Sequence, residues 1–205
     1  MVPQLRPRVV GDREDEILEI TLDLLIDVGY FRLTFDAVAR KARASKATLY
    51  RRWESKPVLV IEALIKAKDM PNPDVPDTGS LRGDLLAAFC GRYGLANSRA
   101  TEVMGAVLTA TATDEEFAHL FRERFIGPKM AVSSAIYAKA VERGEISADV
   151  DLDIIGPALA GVVLHRAYLM GLPPTEDVIA RVIDHLILPA ATASPALTST
   201  EKGSR

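Results

Sequence analysis

The sequence predicts an all-α protein, and three observations predict it. Apolar residues recur at helical spacing along nearly the whole chain, and no run alternates polar and β-branched residues in the period of two that a half-buried strand requires. Serine, threonine or aspartate precedes most of the apolar runs, where its side chain can cap a helix start, and glycine or proline closes them.

At 205 residues the chain can bury a sizeable core, as one large domain or as a small domain joined to a larger one. Hydrophobic residues make up 48% and charged residues 26%, the balance of a globular protein rather than of a disordered or membrane chain. The single cysteine, Cys90, excludes an internal disulfide and fits a reducing compartment, so the expected location is the cytoplasm. The opening "MVPQLRPRVVGDRE" has basic residues with no apolar run behind them and is not a signal peptide. The uncharged stretch 154–164 stops at His165 and Arg166, short of the roughly 20 residues of a membrane span, so no membrane anchor is expected.

Taken in order, the first helix starts with Asp12 as its cap. Ile17, Ile20, Leu24 and Val28 lie on one face with Leu18 and Leu25 beside them, and Gly29 takes the left-handed position at its end. Thr34 caps a short helix over 35–41, "ARA" turns the chain, and Ser45 caps a second over 46–53. Two short capped helices joined by a tight turn make a helix-turn-helix. A fourth helix begins near Ser55 and runs to Asp69. The segment "MPNPDVPDTGS", with three prolines and a glycine, then breaks the pattern. This boundary gives a domain over 1–69, a linker over 70–80, a C-terminal helical domain over 81–188 and a low-complexity, disordered tail over 189–205. Within the C-terminal domain Ser80, Asp114, Asp151 or Asp153, and Thr175 cap successive helices. Pro128 divides or kinks one of them, Gly144 ends it, and the last reaches Leu188.

Charge is uneven along the chain. Residues 1–68 carry 13 Lys and Arg against 10 Asp and Glu, and residues 69–205 carry 12 against 18. Within 34–56 there are seven basic residues, with Arg32 just upstream, against Asp36 and Glu54. A local basic patch on an acidic protein points to a polyanion partner for that patch. Around the 46–53 helix, Leu49 and Trp53 share one face and anchor it in a core, while Ala47 and Arg51 face the other way, flanked by Thr48 and Tyr50. Such a face is either a solvated basic surface or a recognition helix. On the second reading Arg51 and Thr48 reach base edges, Tyr50, Lys46, Arg52 and Lys56 meet phosphates, and small Ala47 permits close approach to the groove.

The stretch G-Y-x-x-x-T-F-D-A-V-A-x-x-A-x-A-S-K-A-T-L-Y-R-R-W-x-S-K, residues 29–56, resembles the DNA-binding domain of the TetR family of transcriptional regulators, with similarity over about 16–64. "ERGEISADVDLD" and "GLPPTEDVIARVIDHLI" resemble a C-terminal domain common in that family. The resemblance implies nine or so helices, homodimers on double-stranded operator DNA, and release when a small molecule enters the C-terminal domain. It also implies DNA contacts from Thr34, Ser45, Lys46, Ala47, Thr48, Tyr50, Arg51 and Lys56. Two positions depart from the pattern. Arg43 stands where a turn glycine is usual, so it is either a left-handed residue whose side chain reaches the DNA backbone or an ordinary solvated turn residue. Pro57 fits the first turn of a helix but disfavours helical angles at Lys56.

Enzyme signatures are absent: no P-loop, G-x-G-x-x-G, G-x-S-x-G or H-E-x-x-H occurs, so neither a catalytic role nor a cofactor is expected. Glu116 and His119 have the Glu-x-x-His spacing of a di-iron motif, but such sites need two copies and further carboxylates, so no metal is expected. His119 reads instead as a core-edge residue beside Phe117 and Phe121. The candidate lining of an apolar effector pocket is Phe89, Tyr93, Met104, Leu108, Phe121, Phe125, Tyr137, His165 and Tyr168, because pockets in helical domains are built from core-facing residues. Val178, Ile179, Val182, Ile183, Leu186 and Ile187 form an apolar stripe wider than one neighbouring helix needs; the first five are the expected dimer interface, together with a helix carrying Gly156, Ala158, Ala160 and Gly161. The resulting reading is a DNA-binding repressor released by a small apolar or amphipathic ligand. The alternative is a ligand-binding or catalytic helical protein that no longer binds DNA. Nothing in the residues separates repression from activation.

Overall fold

A computed structural model describes residues 11–67, 74–91, 95 and 98–193. Every regular element among them is helical: α1 (Asp12–Arg32), α2 (Phe35–Lys41), α3 (Lys46–Arg52), α4 (Lys56–Ala67), α5 (Leu81–Cys90), α6 (Ser98–Thr113), α7 (Glu115–Leu120), α8 (Gly127–Glu142), α9 (Leu152–Tyr168), α10 (Glu176–Val182) and α11 (Leu188–Thr192). A π-helical stretch, Phe121–Ile126, joins α7 to α8, and a second, Ile183–Ile187, joins α10 to α11.

Each π-helical stretch stops two residues short of a proline, Pro128 in the first case and Pro189 in the second. Proline has no N–H to give, and its ring collides with the carbonyl four residues back. Widening the preceding turn to a five-residue repeat moves that carbonyl aside, so the helix continues where an α-helix would break. This accounts for two differences from the sequence reading. Helical backbone runs through Pro128, so that proline does not divide the helix, and the last helix runs on to Thr192, with Ala191 buried, beyond the limit at Leu188. The rest of the proposed tail, 194–205, lies outside the described residues, as do 68–73 of the linker region.

The helices divide into two packed units: one break falls between Asp74 and Val75, within the proline-rich segment, and 97–131 return to the first unit. The first unit holds α1 to α4, α6, α7, the π-helical stretch after it and α8 up to Ala131; the second holds α5, α8 from Val132, and α9 to α11. In the first unit α1 packs on α4 and α6, and α7 packs on α4. Val107 and Ala110 of α6 and Phe117 of α7 thereby join a core with Leu22, Leu25, Leu49 and Leu59. Each of the Val, Leu and Phe side chains among them contributes roughly 1.5–3 kcal/mol on burial. Gly11, not Asp12, occupies the cap position of α1. At Gly29, with φ 76° and ψ 165°, α1 kinks before its last turn, which puts Tyr30 in the core and leaves Phe31 exposed.

In the second unit Ile136, Tyr137 and Ala140 of α8 pack with Leu159, Val163, Ile179 and Ile183. Among the described residues of this unit one carboxylate, that of Asp84, is wholly buried, and it is well satisfied. Asp84 accepts from the Thr78 amide at 2.6 Å, the Thr78 hydroxyl at 2.8 Å and the Arg143 guanidinium at 3.0 Å. Burial alone would raise its pKa, but these donors together hold it below the usual carboxylate range.

Candidate nucleic-acid interface

Two caps set the ends of the helix-turn-helix. The Thr34 hydroxyl accepts from the Ala37 amide at 3.2 Å and starts α2; the Ser45 hydroxyl accepts from the Thr48 amide at 3.1 Å and starts α3. Between them α2 ends in a Schellman motif. The Ala44 amide donates to the Ala39 carbonyl at 2.9 Å, the Arg43 amide donates to the Arg40 carbonyl at 3.2 Å, and Ala44 packs against the core. Arg43 occupies the left-handed position of that motif, with φ 50°, and is the one non-glycine with positive φ among the described residues. The second unit has the same construction at the end of α8, where the left-handed residue is Gly144, with φ 72°.

Leu49 and Trp53 are wholly buried and fasten α3 to the core. The Trp53 indole donates to Glu62 at 2.7 Å, and Arg52 bridges Glu62 at 3.1 Å and Glu14 while lying 5.3 Å from the Trp53 ring centroid. The guanidinium expected to meet phosphates therefore clamps α3 to α1 and α4. Lys56 also turns inward. As the first residue of α4 it donates to the Tyr30 carbonyl at 3.2 Å, with its ammonium 4.2 Å from the Tyr30 ring centroid. Burial and a 2.7 Å hydrogen bond to Asp114 push the Tyr30 hydroxyl pKa up; the Phe117 amide, the Tyr30 hydroxyl and nearby Lys56 hold Asp114 down. Ser55 caps α4 and donates to Glu116 at 2.6 Å.

What remains outward on α3 is Lys46, Ala47, Tyr50 and Arg51, with Ser45 and Thr48 half-buried beside them. The Tyr50 ring, 48% exposed, stacks on Phe35 with centroids 4.3 Å apart at 12°, which fixes its direction. Lys46 pairs with Asp36 at 2.9 Å, a fully solvated contact that a competing anion can take over. Arg51 and Arg43 are exposed and have no ion pair or hydrogen-bonded side-chain partner among the described residues. A short helix thus presents a small residue, an oriented aromatic ring and an uncommitted guanidinium, with a second guanidinium in the adjoining turn. That set suits phosphates and base edges.

The residues expected to line an effector pocket divide between the two units. Met104, Leu108, Phe121 and Phe125 belong to the first unit, Phe89, Tyr137, His165 and Tyr168 to the second, and Tyr93 lies outside the described residues. His165 is exposed rather than core-facing, and His119, 74% exposed beside Glu123, is not a core-edge residue. Cys90 is half-buried, and burial with nearby Glu176 raises its thiol pKa. In the proposed dimer stripe Ile179, Ile183 and Ile187 are buried in their own unit, so they do not belong to a surface. One four-residue row of α10 and its π-helical extension, Ile179, Ile183 and Ile187, faces inward; the next row, Val178, Val182 and Leu186, is half-buried to exposed. On α9 Leu159 and Val163 are buried while Ile154 is 69% exposed, as is Leu169 just beyond the helix at 74%.

Fold and site define a helix-turn-helix protein built to meet DNA, and the comparisons narrow the class. Residues 17–63 match the pattern described as bacterial regulatory proteins, tetR family, and residues 75–186 match the tetracyclin repressor-like C-terminal domain. An uncharacterized HTH-type transcriptional regulator of Mycobacterium tuberculosis is 39% identical over 192 residues, 92% of each chain. The DNA-binding transcriptional repressor TetR of Mycobacteroides abscessus is 34% identical over 176 residues, 86% of this chain and 92% of that one. Among solved structures, a TetR family transcription regulator with 28% identity superposes with a TM-score of 0.67, over 89% of this chain and 100% of that one. The chain belongs to the TetR family of DNA-binding transcriptional regulators. The family is one of regulators rather than enzymes, in agreement with the absence of a catalytic signature.

Proposed function

We propose that the protein is a cytoplasmic homodimer that represses transcription from a near-palindromic operator and leaves it when a small apolar or amphipathic molecule binds. The observation that carries this reading is the outward face of α3, where Arg51 and the stacked Tyr50 stand on a helix clamped from behind by Arg52, Trp53 and Glu62. Arg51 and Thr48 read bases; Thr34, Ser45, Lys46, Tyr50 and Arg43 hold phosphates, and Ala47 lets the helix close on the groove. Lys56 and Arg52 act one step back, by fixing the pose of α3. Repression, rather than activation, is favoured by the mycobacterial relative named as a repressor.

Dimerisation rests on the apolar surface left bare by the second unit's own packing: Ile154 and Leu169 at the two ends of α9, and Val178, Val182 and Leu186 on α10 and its extension. Two copies of that face form a self-complementary four-helix contact. It would set two α3 helices roughly 34–36 Å apart, one turn of DNA. Selection of sheared genomic DNA on the full-length protein, followed by sequencing and footprinting, tests the reading. A recurring inverted repeat whose protection weakens steeply with salt is expected, whereas recovery of no enriched site would remove the operator from the account.

A further inference from the structure

Within the first unit, two carboxylates far from the helix-turn-helix in sequence reach back to hold it. The kink at Gly29 turns Tyr30 into the core, where it is 1% exposed with its ring centroid 4.7 Å from that of Phe117 on α7. Its hydroxyl donates to Asp114 at 2.7 Å, while the same carboxylate caps α7 by accepting from the Phe117 amide at 2.9 Å. Lys56, the first residue of α4, donates to the Tyr30 carbonyl and lies over the Tyr30 ring. Beside it, the Ser55 hydroxyl donates to Glu116 at 2.6 Å. The start of α4 is thus tied to the start of α7 twice, once directly and once through Tyr30.

These ties bear on α3 because Trp53, which closes it, is separated from Ser55 by Glu54 alone. The near end of α3 is set by the Ser45 cap and the turn before it. Its far end is set by whatever fixes Ser55 and Lys56. Apolar burial presses α4 onto α1 and α7 without choosing an angle, since it is non-directional. Hydrogen bonds weaken steeply when bent, so they choose one.

We infer that Asp114 and Glu116 are positioning residues for DNA recognition, which fix the angle of α3 through Tyr30, Ser55 and Lys56 without themselves touching DNA. This rests on the reading that α3 meets an operator as one half of a dimer. Charge separates such a role from a simple field effect. Both residues are acids, and the field of an acid opposes binding to a polyanion, so by field alone removing either would tighten binding. Loss of the ties should weaken it.

The test uses the full chain in four variants: Glu116→Ala, Ser55→Ala, Tyr30→Phe, and Asp114→Ser, which keeps a cap for α7 but falls short of Tyr30. The probes are the inverted repeat recovered by genomic selection and copies of it with one base pair added or removed between the half-sites. At a temperature where Trp53 emission shows every variant folded, each is expected to bind the repeat roughly three- to tenfold more weakly than the parent. Each should also lose part of the parent's preference for the native spacing, which a merely stabilising role would leave alone. Glu116→Ala with Ser55→Ala, and Asp114→Ser with Tyr30→Phe, should weaken binding no further than the weaker single change of each pair. Without DNA, the amides of 46–58 should exchange with deuterium severalfold faster in the variants, while those of the second unit keep the parent's rates. Unchanged or tighter binding, additive pairs, an unchanged spacing preference or unchanged exchange over 46–58 would each overturn the inference. If selection recovers no site, the operator reading fails and exchange alone decides: parental protection of 46–58 removes the hold on α3 as well, and faster exchange there keeps it.

Discussion

Replacing Arg43 with glycine should make the protein more stable and a weaker binder of DNA. Arg43 sits at φ 50°, where an L side chain costs roughly 1–2 kcal/mol because its Cβ crowds the following carbonyl. Glycine removes that cost but gives the unfolded chain about 0.5–1 kcal/mol of extra entropy. The net gain is then roughly 0.5–1 kcal/mol, or about 1–4 °C in melting temperature at this chain length. On DNA the variant loses one guanidinium per protomer. The slope of log affinity against log salt should therefore fall by about 2 for the dimer. The molecule holds its own control at Gly144, which has φ 72°, the same turn, and no atom within 4 Å of an added Cβ. Gly144→Arg reverses the same two contributions and should lower stability by roughly 0.5–1 kcal/mol without touching DNA affinity. Melting curves and binding isotherms at several salt concentrations decide the matter: an Arg43→Gly variant no more stable than the parent refutes the backbone argument, and an unchanged salt slope refutes the phosphate contact.

Arg51→Ala is expected to cost about 1–3 kcal/mol of operator affinity and to relax preference at one position of each half-site, read by binding to single-base operator variants; uniform weakening would recast it as a phosphate contact. Glu62→Gln weakens the clamp on Arg52 and Trp53, so the first unit should unfold earlier and DNA binding should fall for all sequences together, seen in melting and gel-shift titrations. Aspartate at Val182 and Leu186 together should give monomers by sedimentation, while aspartate at Ile183 should unfold the second unit instead. Asp84 has a lowered pKa when folded, so its contribution is present above the ordinary carboxylate range near 3.9 and is lost as pH falls through the lower folded value. Asp84→Asn should cost roughly 1–3 kcal/mol at pH 7 and flatten the acid limb of the stability curve, a change measured by urea titration at several pH values.

Much of the helical framework was legible because each start carries its own chemistry. Thr34, Ser45, Ser80, Asp114 and Thr175 all cap the helices that their positions imply. Leu49 and Trp53 likewise fall on the buried side of α3, as their spacing requires. What was not legible depends on pairing across the chain. Arg52 and Lys56 look as available for phosphate as Arg51 until Glu14, Glu62 and the Tyr30 carbonyl are placed beside them. Glu62, the one acid in the apolar run of α4, was the signal that could have exposed the clamp. Composition also reads a proline as an end, but a π-helical turn absorbed both Pro128 and Pro189. In the dimer stripe a four-residue repeat marks an apolar row without saying which of two adjacent rows turns inward, and packing gave that role to Ile179 and Ile183.

Trp53 is the chain's single tryptophan, and it lies wholly buried at the end of α3 with its indole nitrogen bound to Glu62. Its fluorescence is therefore a local reporter of the unit that meets DNA, silent about α9 to α11. Ultraviolet circular dichroism sums every helix. Followed together through one urea titration, the two signals show whether the units unfold as one cooperative body or in sequence. Coincident curves would mean that a change at Arg43 is shared by the whole chain; separated curves would let the emission of one indole isolate its effect where it arises.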